Sequence, residues 1–158
     1  MSKLPAKALT LVLAALLGCT SAPPPATRTS SVFVIPTELP NGRVEITIER
    51  SYPLGAVMTI PVAIVATRGT VTGPISARVM ASGINEAGAA AEVLVRELAV
   101  RPATVAANGR SSTSLTWDTR DAKGVIVPAD AYSLVVEVRS DDAGSSRNVT
   151  AGAGLELR

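Results

Sequence analysis

The chain has 158 residues, of which 47% are hydrophobic, 18% charged and only 3% aromatic, with a single Cys and no His. Without His it lacks the commonest general base and the commonest neutral metal ligand. One Cys makes neither an internal disulfide nor a cysteine zinc site.

Residues 1–7 carry Lys3 and Lys7 and no acid, and residues 8–17 are apolar apart from Thr10. A charged start followed by an apolar run too short to cross a bilayer is the layout of a cleaved export signal. The run ends Leu16-Leu17-Gly18-Cys19. This resembles the lipobox of bacterial lipoproteins, although Leu17 stands where that family prefers Ala, Ser, Thr or Val. The resemblance implies that Leu16, Leu17 and Gly18 are read by the signal peptidase and that residues 1–18 are removed. It also implies that Cys19 takes a diacylglyceryl group on sulfur and an acyl chain, such as palmitate, on its new amino group. That covalent lipid is the one attached group expected, with no other cofactor, and the lipid bilayer is the first expected partner. Each buried CH₂ adds about 0.8 kcal/mol, so three chains hold a protein that one chain holds only marginally. The family's sorting rule places a mature chain with Thr20, rather than Asp, after the Cys in the outer membrane of a Gram-negative envelope. Removal of residues 1–18 takes away Lys3 and Lys7 and leaves equal numbers of basic and acidic residues. No basic face is expected for nucleic acid, whose binding is dominated by phosphate charge.

Residues 19–31 hold Cys19 and then TSAPPPATRTSS. Consecutive prolines with Ser, Thr and Ala cannot bury a core, so this reads as a spacer. Residues 32–158 are rich in Val, Ile and Thr and are cut by Gly and Pro at short intervals. This predicts an all-β domain, an immunoglobulin- or fibronectin-like β-sandwich of seven to eight strands.

Strands are expected over 32–35, 43–50, 57–66, 75–81, 92–100, 112–117, 131–139 and 149–157. Over 43–50, Val44, Ile46 and Ile48 alternate with outward Arg43, Glu45, Thr47 and Glu49. Asn41-Gly42 and Asn108-Gly109 read as turn dipeptides. Pro61 makes 57–66 an edge strand or a bulged one. Residues 85–100 fit helical spacing as well, with Asn85 as a possible cap. The β-branched run and Pro102 favour a strand over 92–100, joined in a long hairpin to 75–81.

Residues 117–132 read WDTRDAKGVIVPADAY. Trp117 is the one side chain large enough to fill a sandwich centre alone. Asp118 and Asp121 suit a turn capped through backbone amides, Gly124 supplies positive φ, and Val127 before Pro128 is extended. Tyr132 opens the return strand, with its ring on Trp117 and its hydroxyl on the turn. Asp130 tolerates a left-handed backbone. The stretch resembles a motif of bacterial immunoglobulin-like domains of the flagellar hook-cap type and the BsuPI proteinase-inhibitor type. Trp117, Asp118, Asp121, Gly124, Val127, Pro128 and Tyr132 match in type and spacing, while Thr119 and Asp130 stand where the family has Gly. The resemblance covers 112–139 and extends in outline to Ile75.

Chemistry-bearing alternatives are thin. Asp118, Asp121 and Asp130 are oxygen ligands of the kind calcium takes, but the spacing is not an EF-hand, and no metal site is expected. A serine nucleophile among Ser111, Ser112, Ser145 and Ser146 would need Lys123 as base. Asp141-Asp142 reads as a solvated turn. Gly152-Ala153-Gly154 lies in a strand pattern, not in a phosphate loop. Phe33, Tyr52, Trp117 and Tyr132 are too dispersed for a stacking platform.

No catalytic residue and no small-molecule substrate is expected. The sequence points to a non-catalytic module of the cell envelope that binds another envelope protein, as an accessory of a secretion, motility or adhesion assembly. The contact would use loops or a free sheet edge, with 57–66 and 149–157 as candidate edges. The alternative is a proteinase inhibitor that presents loop 87–91 or 124–131.

Overall fold

A computed structural model describes residues 31–84 and 87–158. The leader, Leu16 to Cys19, the proline-rich segment and Asn85 lie outside the described residues.

The described residues form nine strands in two antiparallel sheets, an immunoglobulin-like β-sandwich. The strands are β1 (Val32–Leu39), β2 (Gly42–Glu49), β3 (Met58–Ala66), β4 (Thr70–Ile84), β5 (Ala90–Glu97), β6 (Ala103–Ala106), β7 (Arg110–Trp117), β8 (Ala131–Asp142) and β9 (Ser145–Glu156). The first sheet runs β1-β2-β3-β7. The second runs β5-β4-β8-β9, with β6 sharing the β5 edge of β4. Strand β4 pairs first with β6 over Thr70–Gly73 and then with β5 over Arg78–Ile84.

Alternation builds the core. Val44, Ile46 and Ile48 of β2 face inward, opposite Leu134, Val136 and Val138 of β8 and Ala151, Ala153 and Leu155 of β9. Ile60, Ile64, Val79 and Leu115 complete the buried middle. Residues 92–97 are strand, within β5, and form the expected hairpin with β4.

Three expectations change. First, β3 is an interior strand, not an edge, and its pairing with β7 passes through Pro61–Ser114 without a bulge. The Ala66 N–H points towards β7, bonding Gly109 O, so by alternation the nitrogen of Pro61 points towards β2. There the ladder has already stopped at Ile46–Val62, and no hydrogen bond is lost. Second, the β1–β2 hairpin turns on Pro40-Asn41, and Gly42 is already strand. A Cβ on Gly42 would collide with the Val65 carbonyl oxygen. Third, β6 is an additional short strand in which only Val105 is buried.

The sandwich has two unlike ends. Residue 31 enters at one, called proximal here. The same end gathers the 50–57 loop, the 118–130 loop, the tip of the β4–β5 hairpin and the carboxyl terminus. The Tyr52–Leu157 bridge and the Trp117–Tyr132 contact join the two sheets there. The distal end holds the β1–β2, β3–β4, β6–β7 and β8–β9 turns.

Candidate functional site

Residues 117–130 form the loop from the last residue of β7 to the first of β8, crossing from one sheet to the other at the proximal end. Trp117 is 1% exposed. It seals this end rather than filling the middle of the core. Its indole N–H donates to Arg120 O at 2.9 Å, and its ring meets Tyr132 edge-on at 5.5 Å between centroids. The Tyr132 hydroxyl donates to Pro128 O at 2.9 Å. Burial, reinforced by nearby Asp130, pushes the phenol pKa of Tyr132 up. The hydroxyl therefore stays protonated and keeps its donor role.

The carboxylates are spent on the backbone. Asp121 Oδ1 accepts from Lys123 N and Val125 N, both at 2.9 Å. Asp118 Oδ1 accepts from Arg120 N, and Asp130 Oδ1 from Ala131 N. Arg120 donates to Gly124 O at 2.7 Å, while Arg96 of β5 donates to Asp121 O at 2.6 Å. These bonds fix the tip Lys123-Gly124-Val125-Ile126, in which Gly124 holds a φ of 82°. Among the described residues no group of three or more His, Cys, Asp or Glu side chains converges as a metal site.

The left-handed non-glycine residue of this loop is Thr119, at φ 56°, and not Asp130. A β-branched residue rarely adopts that conformation. Its reason is visible in its contacts. Thr119 is fully buried, and its hydroxyl accepts from Gly55 N at 3.0 Å while donating to Asp118 O. The 50–57 loop is thereby tied to the 118–130 loop.

Between this loop and the β4–β5 hairpin lies an open cleft of about 420 Å³, lined by Leu94, Val127, Pro128 and Tyr132, with Lys123 and Asp130 alongside. The candidate serine nucleophiles lie elsewhere. Ser111 and Ser112 sit at the distal start of β7 and Ser145 and Ser146 at the distal start of β9, away from proximal Lys123. Asp141 and Asp142 close the β8–β9 hairpin, and Asp141 is held below the usual carboxylate range by Ser146 and then Arg139. Gly152 and Gly154 lie in β9.

Two edge strands, β9 and β1, whose outer sides pair with no further strand among the described residues, form the second feature. The outer edge of β9 ends where Tyr52 N donates to Glu156 O. Alternation then assigns the outward N–H and C=O groups of β9 to Gly154, Gly152, Thr150 and Asn148. From Val149 to Leu155 this edge carries no charge and no proline. The β1 edge is different. Arg50 N donates to Ser31 O, so β1 turns Val32, Val34, Pro36 and Glu38 outward. Pro36 offers no donor and Glu38 adds a charge, which blunts that edge.

The chain matches no protein-family model and no curated protein.

Proposed function

We propose that the protein is a non-catalytic, lipid-anchored lipoprotein of the bacterial cell envelope, held in the membrane through acylated Cys19. Its sandwich presents the free edge of β9 to another envelope protein. The sequence supports the anchor through the charged start, short apolar run and Gly18-Cys19 junction. The likeness of 112–139 to bacterial immunoglobulin-like modules supports an interaction role.

The observation that carries the binding mode is the β9 edge. Glycine inside a strand weakens it by roughly 0.5–1 kcal/mol relative to Ala. Two outward-facing glycines in one edge strand suit the close approach of another backbone. Gly154 has open space where a side chain would stand, with no atom within 4 Å of a built Cβ. A strand added here gains main-chain hydrogen bonds without displacing side chains.

The test is Gly154→Lys, which leaves the core untouched but charges the edge. In-cell cross-linking of the wild-type chain is expected to give a complex of fixed composition that Gly154→Lys abolishes and distal Ala107→Lys leaves intact. An unchanged complex in Gly154→Lys removes β9 as the binding edge. Tight inhibition of a protease panel by the purified chain would replace this reading with that of an inhibitor.

A further inference from the structure

Every large apolar side chain that stands well exposed among the described residues lies in the proximal half of the sandwich. Val125 (61% exposed), Ile126, Leu54 and Val57 crown the end itself, with Phe33 beside them on β1 and Ile84 on the projecting hairpin. Ile126 abuts the loop that carries Leu54 and Val57. The Gly55 backbone is bonded to Thr119, and a Cβ on Gly55 would lie 3.9 Å from Ile126. The distal end instead shows Arg68, Asp142, Arg147 and polar turns. An apolar crown on one end of a small domain marks an interaction surface.

Its position selects the occupant. The chain enters the domain at this end, and eleven residues (20–30) separate Cys19 from the first described residue. Eleven residues span at most about 40 Å, so the crown cannot leave the neighbourhood of a bilayer that holds Cys19. At such an effective concentration even a shallow apolar contact is populated. The charges fit as well. Asp121 is turned onto backbone amides and Asp118 faces Arg120 at 4.0 Å, whereas exposed Lys123 makes no ion pair among the described residues. A lysine beside an apolar tip is the pairing that suits phosphate headgroups over acyl chains.

We propose that the proximal end is a lipid-seating face, with Val125 and Ile126 in the headgroup–acyl boundary and Lys123 at the phosphates. This rests on the anchoring of Cys19 proposed above. The seat orients the sandwich with its long axis away from the membrane and its distal turns outermost. It also holds the β9 edge at a set height above the bilayer.

The test uses the full mature chain, in which lipidated Cys19 leaves no free thiol. Val125→Cys and, at the distal end, Ala107→Cys are each labelled with nitrobenzoxadiazole. Both are reconstituted in phosphatidylethanolamine–phosphatidylglycerol vesicles containing nitroxide lipid. The Val125 label is expected to be quenched several-fold more than the Ala107 label and to be shielded from iodide. With the label moved to Leu54→Cys, adding Val125→Asp and Ile126→Asp is expected to bring quenching down to the distal level. Equal quenching at both ends overturns the proposal, as does shielding of Val125 from iodide without quenching by lipid, which means that protein covers the crown. A chain that fails to float with the vesicles overturns the anchoring reading and the seat together. A chain that floats without differential quenching overturns the seat alone.

Discussion

Asn41 and Ser140, 99 residues apart, meet in a buried hydrogen bond of 2.6 Å that pins the two sheets together at the distal end. Asn41 is fully buried. Its Oδ1 accepts from Ser140, while its amide nitrogen donates to Thr70 O at 2.7 Å and Asp141 O at 3.0 Å. Its own carbonyl accepts from Thr67 and Arg68. One turn residue thus ties three turns to each other.

Loss of the Asn41 side chain strands a buried hydroxyl and two carbonyls, and each unsatisfied buried group costs about 1–3 kcal/mol. Asn41→Ala is expected to destabilise the domain by roughly 3 kcal/mol or more. Asn41→Asp, nearly the same shape, is expected to cost a similar amount because a carboxylate cannot donate to the two carbonyls. Urea unfolding measures both, and a near-neutral Asn41→Asp would show that the amide donors are unimportant.

Trp117→Ala should cost about 3–5 kcal/mol, the range for an aromatic lost from a packed site. Tyr132→Phe keeps the edge-on contact with Trp117 and loses only the bond to Pro128 O, for an expected cost of about 1 kcal/mol. Because the two aromatics touch, the Trp117→Ala and Tyr132→Ala costs should fall short of additivity in a double-mutant cycle.

Thr119 trades backbone strain for its hydroxyl contacts. Thr119→Ser keeps the hydroxyl and loses one buried methyl, for an expected cost of about 0.8 kcal/mol. Thr119→Val keeps the shape, loses the acceptor for Gly55 N, and is expected to cost about 1–3 kcal/mol. Faster hydrogen exchange at the Gly55 amide in Thr119→Val, and not in Thr119→Ser, separates this contact from a general loss of stability.

Glu45 lies on the outer face of the first sheet and accepts from Arg43 at 2.7 Å and Arg110 at 2.9 Å. The Arg43 hydrogen bond, outweighing partial burial, holds its carboxyl below the usual glutamate range. A carboxyl with a lowered folded-state pKa contributes its stability in full above the unfolded value, about 4.3, and loses it as pH falls through the folded value. The melting temperature should therefore drop below about pH 4.3, and Glu45→Gln should flatten part of that drop while leaving the other carboxylates' share. The arginines are well exposed, so the difference will be small and will shrink further in salt. An acid limb identical in Glu45→Gln and wild type contradicts the assignment.

Much of the sandwich was readable from period-two alternation. The inward set Val44, Ile46 and Ile48 is all buried, and the Ile75 and Glu92 segments do form one hairpin. What escaped was non-local. Pro61 signalled an edge because sequence cannot show where a neighbouring ladder stops. Val105 alone faces inward from a four-residue strand, too little pattern for β6 to register. Asn41-Gly42 read as a generic turn, since the partners of Asn41 at Thr70, Ser140 and Asp141 lie far along the chain. Thr119 occupies a position of left-handed backbone that only its buried contacts explain. At the proximal loop, residue types gave the local turn chemistry of Asp118, Asp121 and Gly124. They could not reveal the apolar crown, which is assembled from loops of both sheets.

Both proposals depend on a mature chain that begins at a lipid-modified Cys19. Mass spectrometry of the amino-terminal peptide from the membrane fraction decides this. The expected peptide starts at Cys19, is heavier by a diacylglyceryl group and an amide-linked acyl chain, and is absent in Cys19→Ser. A soluble protein that retains Met1–Gly18 with an unmodified Cys19 thiol would overturn the anchor.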